Sequence, residues 1–532
     1  MQEYDAIIVG AGFSGLYQLL KLRDGLGLKA LILEAGDGVG GTWYWNRYPG
    51  ARCDSESHAY SYSFDKALQQ EWRWSERYPG QAEILRYLNH VADRFDLRPD
   101  IRLNSRVARA EYDQGTNRWQ VSTEDGGRFF ATYFITAVGC LSTANVPRIP
   151  GLDRFKGAWY HTGEWPHEGV DFTGKRVGQI GTGSTGIQAA PVIASQAAHL
   201  TVFQRTANYS IPARNAPLTE EFQSWVRANY DQIRAITRQS PNGHPFLIAE
   251  RPALSVDDDE RQALYEAAWA HGGLQFRATF KDLLTSKEAN DTASDFLRAK
   301  IAEIVKDRTV AEKLTPRDHP FATKRPPIDT DYFETFNRDN VTLIDLRAAP
   351  IQEITETGIR TADADYPLDI IVFATGFDAM TGPLLRMDIR GRDGLSLSQA
   401  WAEGPRTYLG LQVAGFPNMF TLTGPGSPSV LCNMPVAIEQ HVDWVTGCIA
   451  HLRAQGLRTI ETTPDAAETW VAEVNRAADA TLLPLAGSSW YLGANVPGKP
   501  RVFMPYAGGM AHYRTVCDGV AQRGYEGFLM TG

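Results

Sequence analysis

The sequence predicts an α/β fold built on two Rossmann-like dinucleotide-binding units, the second carrying a helical insertion. Three observations predict it. Gly10, Gly12 and Gly15 stand in G-x-G-x-x-G spacing in "DAIIVGAGFSGLYQLLKL". Gly181, Gly183 and Gly186 repeat that spacing in "GKRVGQIGTGSTGIQAAPVIA". Between the second unit's two halves lies a long stretch rich in helix formers, where "DFLRAKIAEIVKD" sets Phe296, Leu297, Ile301 and Ile304 on one helical face.

In the first unit, the apolar run Ala6–Val9 reads as a buried parallel strand, and Leu16, Leu19, Leu20 and Leu22 follow the glycines with helical spacing. The first glycine permits the tight turn, the second lets backbone approach a pyrophosphate, and the third lets helix pack on strand. The helix N-terminus favours the phosphates. A second strand, "KALILE", ends in Glu34, 19 residues beyond Gly15, where a carboxylate can accept from a ribose hydroxyl. The second unit differs at the equivalent place. Its strand "LTVFQRTANYS" carries Arg205, 19 residues beyond Gly186, followed by Thr206. An acid there would repel a ribose 2′-phosphate, whereas an arginine and a hydroxyl bind one. The first unit therefore suits FAD or NAD and the second NADPH, and two such folds in one chain suggest a flavoprotein reduced by NADPH. "IVFATGFD" and "FITAVGC" read as strands that return to the two sheets. These signals place the FAD domain at 1–145 and 381–532, the NADPH domain at 152–208 and 325–380, and the helical insertion at 209–324.

A net charge of −9 argues against nucleic acid as a partner. No apolar run is long enough to span a membrane, and "MQEYDAIIVGAG" enters a strand with no signal-peptide pattern, so a cytoplasmic protein is expected. A monomer is expected. Cys53, Cys140, Cys432, Cys448 and Cys517 are odd in number, far apart and without a CxxC, which argues against structural disulfides, a metal site and disulfide-reductase chemistry. Ser14, Ser184 and Ser427 lie near glycines, but none has the nucleophile-elbow pattern.

The connector "FKGAWYHTGEWP" has Phe155, Gly157, His161, Trp165 and Pro166 in the pattern F-x-G-x-x-x-H-x-x-x-W-P. From chemistry alone it is an aromatic-rich linker. Together with Gly41, Trp43, Tyr48, Pro49, Gly50 and Asp54 in "GGTWYWNRYPGARCD", it resembles the type I Baeyer–Villiger monooxygenases. "TGPGSPSVLCNM" and "SWYLGANVPGKPRVFM" look most like the phenylacetone and steroid monooxygenase branch. The resemblance covers the whole chain. It implies that NADPH reduces FAD, that O₂ is activated as a flavin peroxide anion, and that a ketone becomes an ester or lactone. Aryl-aliphatic, cyclic and steroid ketones are the implied substrates.

By resemblance, Arg325 in "FATKRPPI" is the active-site cation that stabilises the peroxide and the ketone adduct, with Asp54 as its partner. The implied FAD contacts are Gly10, Gly12, Ser14, Gly15, Glu34, Thr42, Trp43, Asp54, Tyr60, Val107 and Met434. Those to NADPH are Thr182, Gly183, Ser184, Thr185, Gly186, Arg205, Thr206 and Lys324, with Trp490 closing over the nicotinamide. Cys140, Leu141, Ser429, Val430, Leu431, Cys432 and Met434 are expected to line the substrate pocket, and His161 to help couple the two domains. Two alternatives stay open: a heteroatom oxygenase acting on sulfides or amines, which has no need of Arg325, and a non-enzymatic flavin-binding module.

Overall fold

The computed structural model describes residues 2–532. The opening apolar run forms the strand Gln2–Val9, buried over its last four residues, and this strand organises an eight-stranded sheet. On one side it pairs in parallel with Ala30–Leu33, which pairs in turn with Ile101–Arg102. On the other it pairs in parallel with Arg128–Thr136. That long strand changes partners along its length. Residues 128–131 take Arg118–Thr123 antiparallel, and residues 134–136 take Met419–Thr421 in parallel. Val107–Asp113 and then Asp388–Arg390 complete the edge. The C-terminal part of the chain thus returns to the first sheet through Asp388–Arg390 and Met419–Thr421. The helix Met434–Ala454 then packs on the helix Phe13–Leu20 that follows the first glycine turn. The two share one apolar core, to which Leu16, Leu19, Val442 and Val445 belong.

The second sheet is all-parallel, in the order Val341–Asp345, His199–Gln204, Arg176–Ile180, Ile370–Phe373, Ala158–His161. Ile370–Phe373 is buried at every position, the run of apolar residues expected where helices and loops cover both faces of a parallel sheet. The helix Ser184–Gln196 covers one face, burying Ile187, Ala190 and Ile193.

Between His199–Gln204 and Val341–Asp345 the chain leaves the sheet to form the helices Glu220–Gln239, Asp258–His271, Lys287–Ile304 and Arg308–Leu314. Phe296, Leu297 and Ile301 are buried on one side of Lys287–Ile304. The excursion is closed at its neck by a short parallel pair, Ile211–Pro212 with Ile328–Asp329. Pro326 and Pro327 lead into this pair, and the Pro327 carbonyl accepts from the Ile211 N–H at 3.0 Å. Arg325 therefore sits at the mouth of the insertion, immediately before a fixed strand. Among the described residues, no helix is long and apolar enough to cross a membrane.

Candidate active site

The first glycine turn has the geometry its residues demand. Gly10 has φ +103°, and a Cβ on Gly15 would lie 1.8 Å from the Gly10 carbonyl oxygen, so helix and strand meet at a distance no side chain allows. A second glycine pair stands on this turn: a Cβ on Gly41 would lie 2.8 Å from Gly12 Cα. That contact brings Thr42 and Trp43, at the start of the short helix Thr42–Trp45, beside the turn. Trp43 Nε1 donates to the Tyr60 hydroxyl at 3.1 Å, and Ser14 Oγ donates to the Ala137 carbonyl at 3.4 Å. Glu34 is buried and accepts from the backbone N–H groups of Ala11 at 2.7 Å and Gly36 at 2.8 Å. Burial raises its pKa against the pull of those two bonds. Each carboxylate oxygen still has a lone pair for a hydroxyl. Val107 begins one strand of this sheet and Met434 begins the helix Met434–Ala454.

The second turn repeats the design. Gly181 has φ +112°, and a Cβ on Gly186 would lie 2.3 Å from the Gly181 carbonyl oxygen. A Cβ on Gly183 would meet nothing within 4 Å, so open space faces the turn. Ser184 and Thr185 begin the helix Ser184–Gln196, and Thr182 Oγ1 donates to the Thr206 carbonyl at 2.9 Å. Arg205 is exposed beyond the strand end. Two further cations gather there. Lys324 reaches Ser488 Oγ at 3.0 Å, and Arg347 reaches Thr206 Oγ1 at 3.5 Å while pairing with Asp318. Burial lowers the Lys324 pKa, and the charges of Arg205 and Arg347 push the same way against Asp318. Three cations around one acid leave excess positive charge for a phosphate. Arg347 was not singled out from the sequence, because no local pattern marks an arginine 141 residues beyond the hydroxyl it reaches.

Arg325 and Asp54 form a two-pronged ion pair, Nε to Oδ2 at 2.5 Å and Nη2 to Oδ1 at 2.9 Å. Arg325 Nη1 also donates to the Val430 carbonyl at 2.9 Å. Their side chains are 17% and 22% exposed, so the pair is neither a surface bridge nor sealed from a ligand. Burial disfavours both charges, but each partner overrides it: Asp54 titrates below its ordinary range and Arg325 above its own. The stretch that delivers Asp54 is anchored on the second domain. Tyr48 Oη donates to Gln188 Oε1 at 2.8 Å, and Gln188 Nε2 donates to the Arg52 carbonyl at 3.0 Å. Arg47 holds the Tyr44 carbonyl, while Arg52 pairs with Glu76 and holds the Tyr78 carbonyl. Arg47 is thus tied to the short helix just before it, and Arg52 to the segment around Glu76–Tyr78. His161 ends the strand Ala158–His161, in register with Phe373, and its Nδ1 accepts from the Gly163 N–H at 3.0 Å.

A cavity opens beside the pair, lined by Arg325, Leu431, Cys432, Leu483, Tyr491 and Arg277 among others. Leu431 and Cys432 therefore face it directly. Cys140 and Ser429 are buried and not part of this lining, their Sγ and Oγ 3.5 Å apart. Cys140, Leu141, Val430, Leu431, Met434 and Trp490 share one apolar cluster with Tyr491 and Phe503. Trp490 opens the turn Trp490–Leu492, half-buried, its ring against that of Tyr491. His244, whose neutral form burial and the nearby arginines enforce down to about pH 3, is also close to Asp54 and was not singled out from the sequence.

A family model described as pyridine nucleotide-disulphide oxidoreductase matches residues 7–240. A Baeyer-Villiger monooxygenase of Pseudooceanicola batsensis is 45% identical over 99% of this chain and 96% of its own. A phenazine N-monooxygenase of Lysobacter antibioticus is 43% identical over 99% of this chain and 97% of its own. The solved structure of an oxidized steroid monooxygenase bound to NADP superposes with a TM-score of 0.95 at 54% identity, over 100% of both chains. The chain belongs to the Baeyer–Villiger monooxygenases.

As a member of that family it is an NADPH-dependent flavin monooxygenase, with FAD and NADPH as its cofactors. The residues present fit both groups. The Gly10–Gly15 turn presents bare backbone beside Gly41, and the second turn opens onto a cluster of cations suited to a 2′-phosphate. The monooxygenase has no disulfide among its described residues. All five cysteines are free and buried.

Proposed function

We propose that this monooxygenase converts ketones to esters or lactones, with Arg325 and Asp54 as the charged pair at the reacting centre. The balance is ketone, O₂, NADPH and one proton giving ester, water and NADP⁺. One oxygen atom enters between the carbonyl carbon and its neighbour. When bound, FAD reduced by NADPH supplies the activation of O₂. The observation that carries the reading is the two-pronged Arg325–Asp54 pair, with Arg325 on the wall of a cavity that also presents Leu284, Leu431 and Leu483.

The chain's own contribution is electrostatic and positional. A guanidinium has five N–H groups. Arg325 commits three, two to Asp54 and one to Val430, which leaves two that can donate to an oxygen acquiring negative charge. Its raised pKa keeps it a donor of hydrogen bonds and never of its proton. Asp54 fixes the plane of the guanidinium without neutralising those two remaining donors. Leu284, Leu431 and Leu483 on the wall limit water at the site. For the substrate class we keep aryl-aliphatic, cyclic and steroid ketones: Leu284, Leu431 and Leu483 offer them apolar contact, and the 54% identity to the steroid monooxygenase supports the last. The free, buried cysteines agree with a protein of a reducing compartment such as the cytoplasm. We read it as a monomer, since both cofactor turns and the ion pair come from one chain.

The test is product analysis of the holoenzyme with cyclohexanone, phenylacetone, progesterone and a thioether. Esters or lactones from the ketones are expected. Sulfoxide as the sole oxygenated product would favour heteroatom oxygenation, the chemistry in the name of the N-oxygenating relative.

A further inference from the structure

The ion pair accounts for one of the two arginines on the cavity wall. The other, Arg277, lies in the turn Leu274–Ala278 of the helical insertion. Among the described residues its guanidinium makes no hydrogen bond and no salt bridge, in a molecule where most arginines are paired. Arg277 is part-exposed and lines the cavity. No Asp or Glu lines that cavity. Asp54 is the one carboxylate close enough to act on Arg277, and Arg325 already holds it with both oxygens. His244, the remaining titratable group beside the pair, stays neutral and offers no negative charge. Asn242 donates to the Leu431 carbonyl at 3.1 Å, and Thr481 Oγ1 to the Ala478 carbonyl at 2.7 Å, so these two side chains are engaged elsewhere, and the Tyr491 phenol close to Arg277 is kept neutral by burial.

The cavity therefore carries one positive charge with no carboxylate on its wall to compensate it. Burial, with Arg325 acting in the same direction, pulls the Arg277 pKa down to about 10, which is the response of a cation lacking its anion. A guanidinium presents a planar fork that matches a carboxylate. The rest of the wall near it, Leu284, Leu431 and Leu483, would cover a hydrocarbon chain joining that carboxylate to a ketone held at Arg325.

We propose that Arg277 is a specificity-determining residue that binds a carboxylate on the substrate, so that the preferred ketones of this monooxygenase are keto acids. The inference rests on the ketone reading above and narrows its substrate class. Arg277 binds the anionic end, Arg325 faces the carbonyl, and the spacing between the two sets the length of chain that reacts best.

The experiment compares levulinate and its longer homologues with their own methyl esters, using the wild-type holoenzyme and the variants Arg277→Gln and Arg277→Lys. Wild type is expected to show a lower KM for the acid than for the ester at the best chain length. Arg277→Gln is expected to lower kcat/KM for the acid about tenfold or more beyond its effect on the ester, the size expected for a lost charge-assisted bond. The loss should lie chiefly in KM, and Arg277→Lys should recover part of the preference. Equal losses on acid and ester overturn the proposal, as does a loss that appears instead in the apparent affinity for NADPH. Failure of the ketone reading looks different: wild type then oxygenates neither the acids nor the esters.

Discussion

At the scale of single residues, burial sets the protonation states that the site depends on. His161, His244 and His441 are buried and held neutral, the last two with pKa values near 3. For each, desolvation is the leading cause; arginines add to it, Arg325 and Arg277 for His244 and Arg514 for His441. The sign of the linkage follows. Above the ordinary imidazole value the folded and unfolded chains hold the same protons there, and these residues leave stability unaffected by pH. Below about 6.5 the unfolded chain takes up protons that the folded one refuses, so stability falls as pH falls, at about 1.4 kcal/mol per pH unit for each of His244 and His441. Thermal unfolding is expected to shift to lower temperature between pH 7 and pH 5. The shift should be smaller in His441→Gln, compared with its own midpoint at pH 7. A midpoint independent of pH in this window would contradict the assignment. Asp54 has the same sign as these histidines but acts at lower pH. Its lowered pKa keeps the ion pair intact throughout this window, and the pair is lost only as pH falls through that lowered value.

At the scale of elements, the loop before Asp54 is docked on the helix Ser184–Gln196. Gly50 has φ +80°, and a Cβ there would lie 2.4 Å from the Gln188 carbonyl oxygen. Gly50→Ala therefore meets both a strained backbone and a clash with helix backbone that cannot yield. A loss of about 2 kcal/mol or more is expected, read as a lower Tm, with weaker NADPH binding because the helix begins at the second glycine turn. An unchanged Tm would show that this docking is loose. How far such elements can be read from sequence depends on how local their causes are. The glycine turns were legible because backbone conformation is a property of the turn itself. Gly10 and Gly181 need positive φ, and Gly15 and Gly186 touch carbonyls five residues back. The amphipathic face of Lys287–Ile304 was legible for the same reason. The strand Met419–Thr421 was not, since three residues carry no periodicity and their partner lies in Arg128–Thr136. Gln188, Arg347, His244 and Arg277 were equally invisible, because each matters through neighbours remote in the chain.

At the scale of the whole molecule, the site exists only where three distant parts of the chain converge. Asp54 comes from the loop after the first glycine turn, Arg325 from the neck of the insertion 271 residues later, and the Val430 carbonyl from the returning C-terminal part. Spacing alone could not pair Asp54 with Arg325; the family resemblance did, and the fold supplies the physical reason. The insertion leaves and re-enters the second sheet through the Ile211–Ile328 pairing, which sets Arg325 against the first domain. The FAD-side loop is pinned to the NADPH-side helix through Tyr48 and Gln188. The most direct test of this arrangement is to measure ester formed against NADPH consumed in Arg325→Ala and Arg325→Lys. NADPH oxidation is expected to continue while ester falls by about a hundredfold or more, with lysine failing to restore it because it lacks the fork that meets Asp54 and a reacting oxygen together. Ester formation at the wild-type rate in Arg325→Ala would contradict the account.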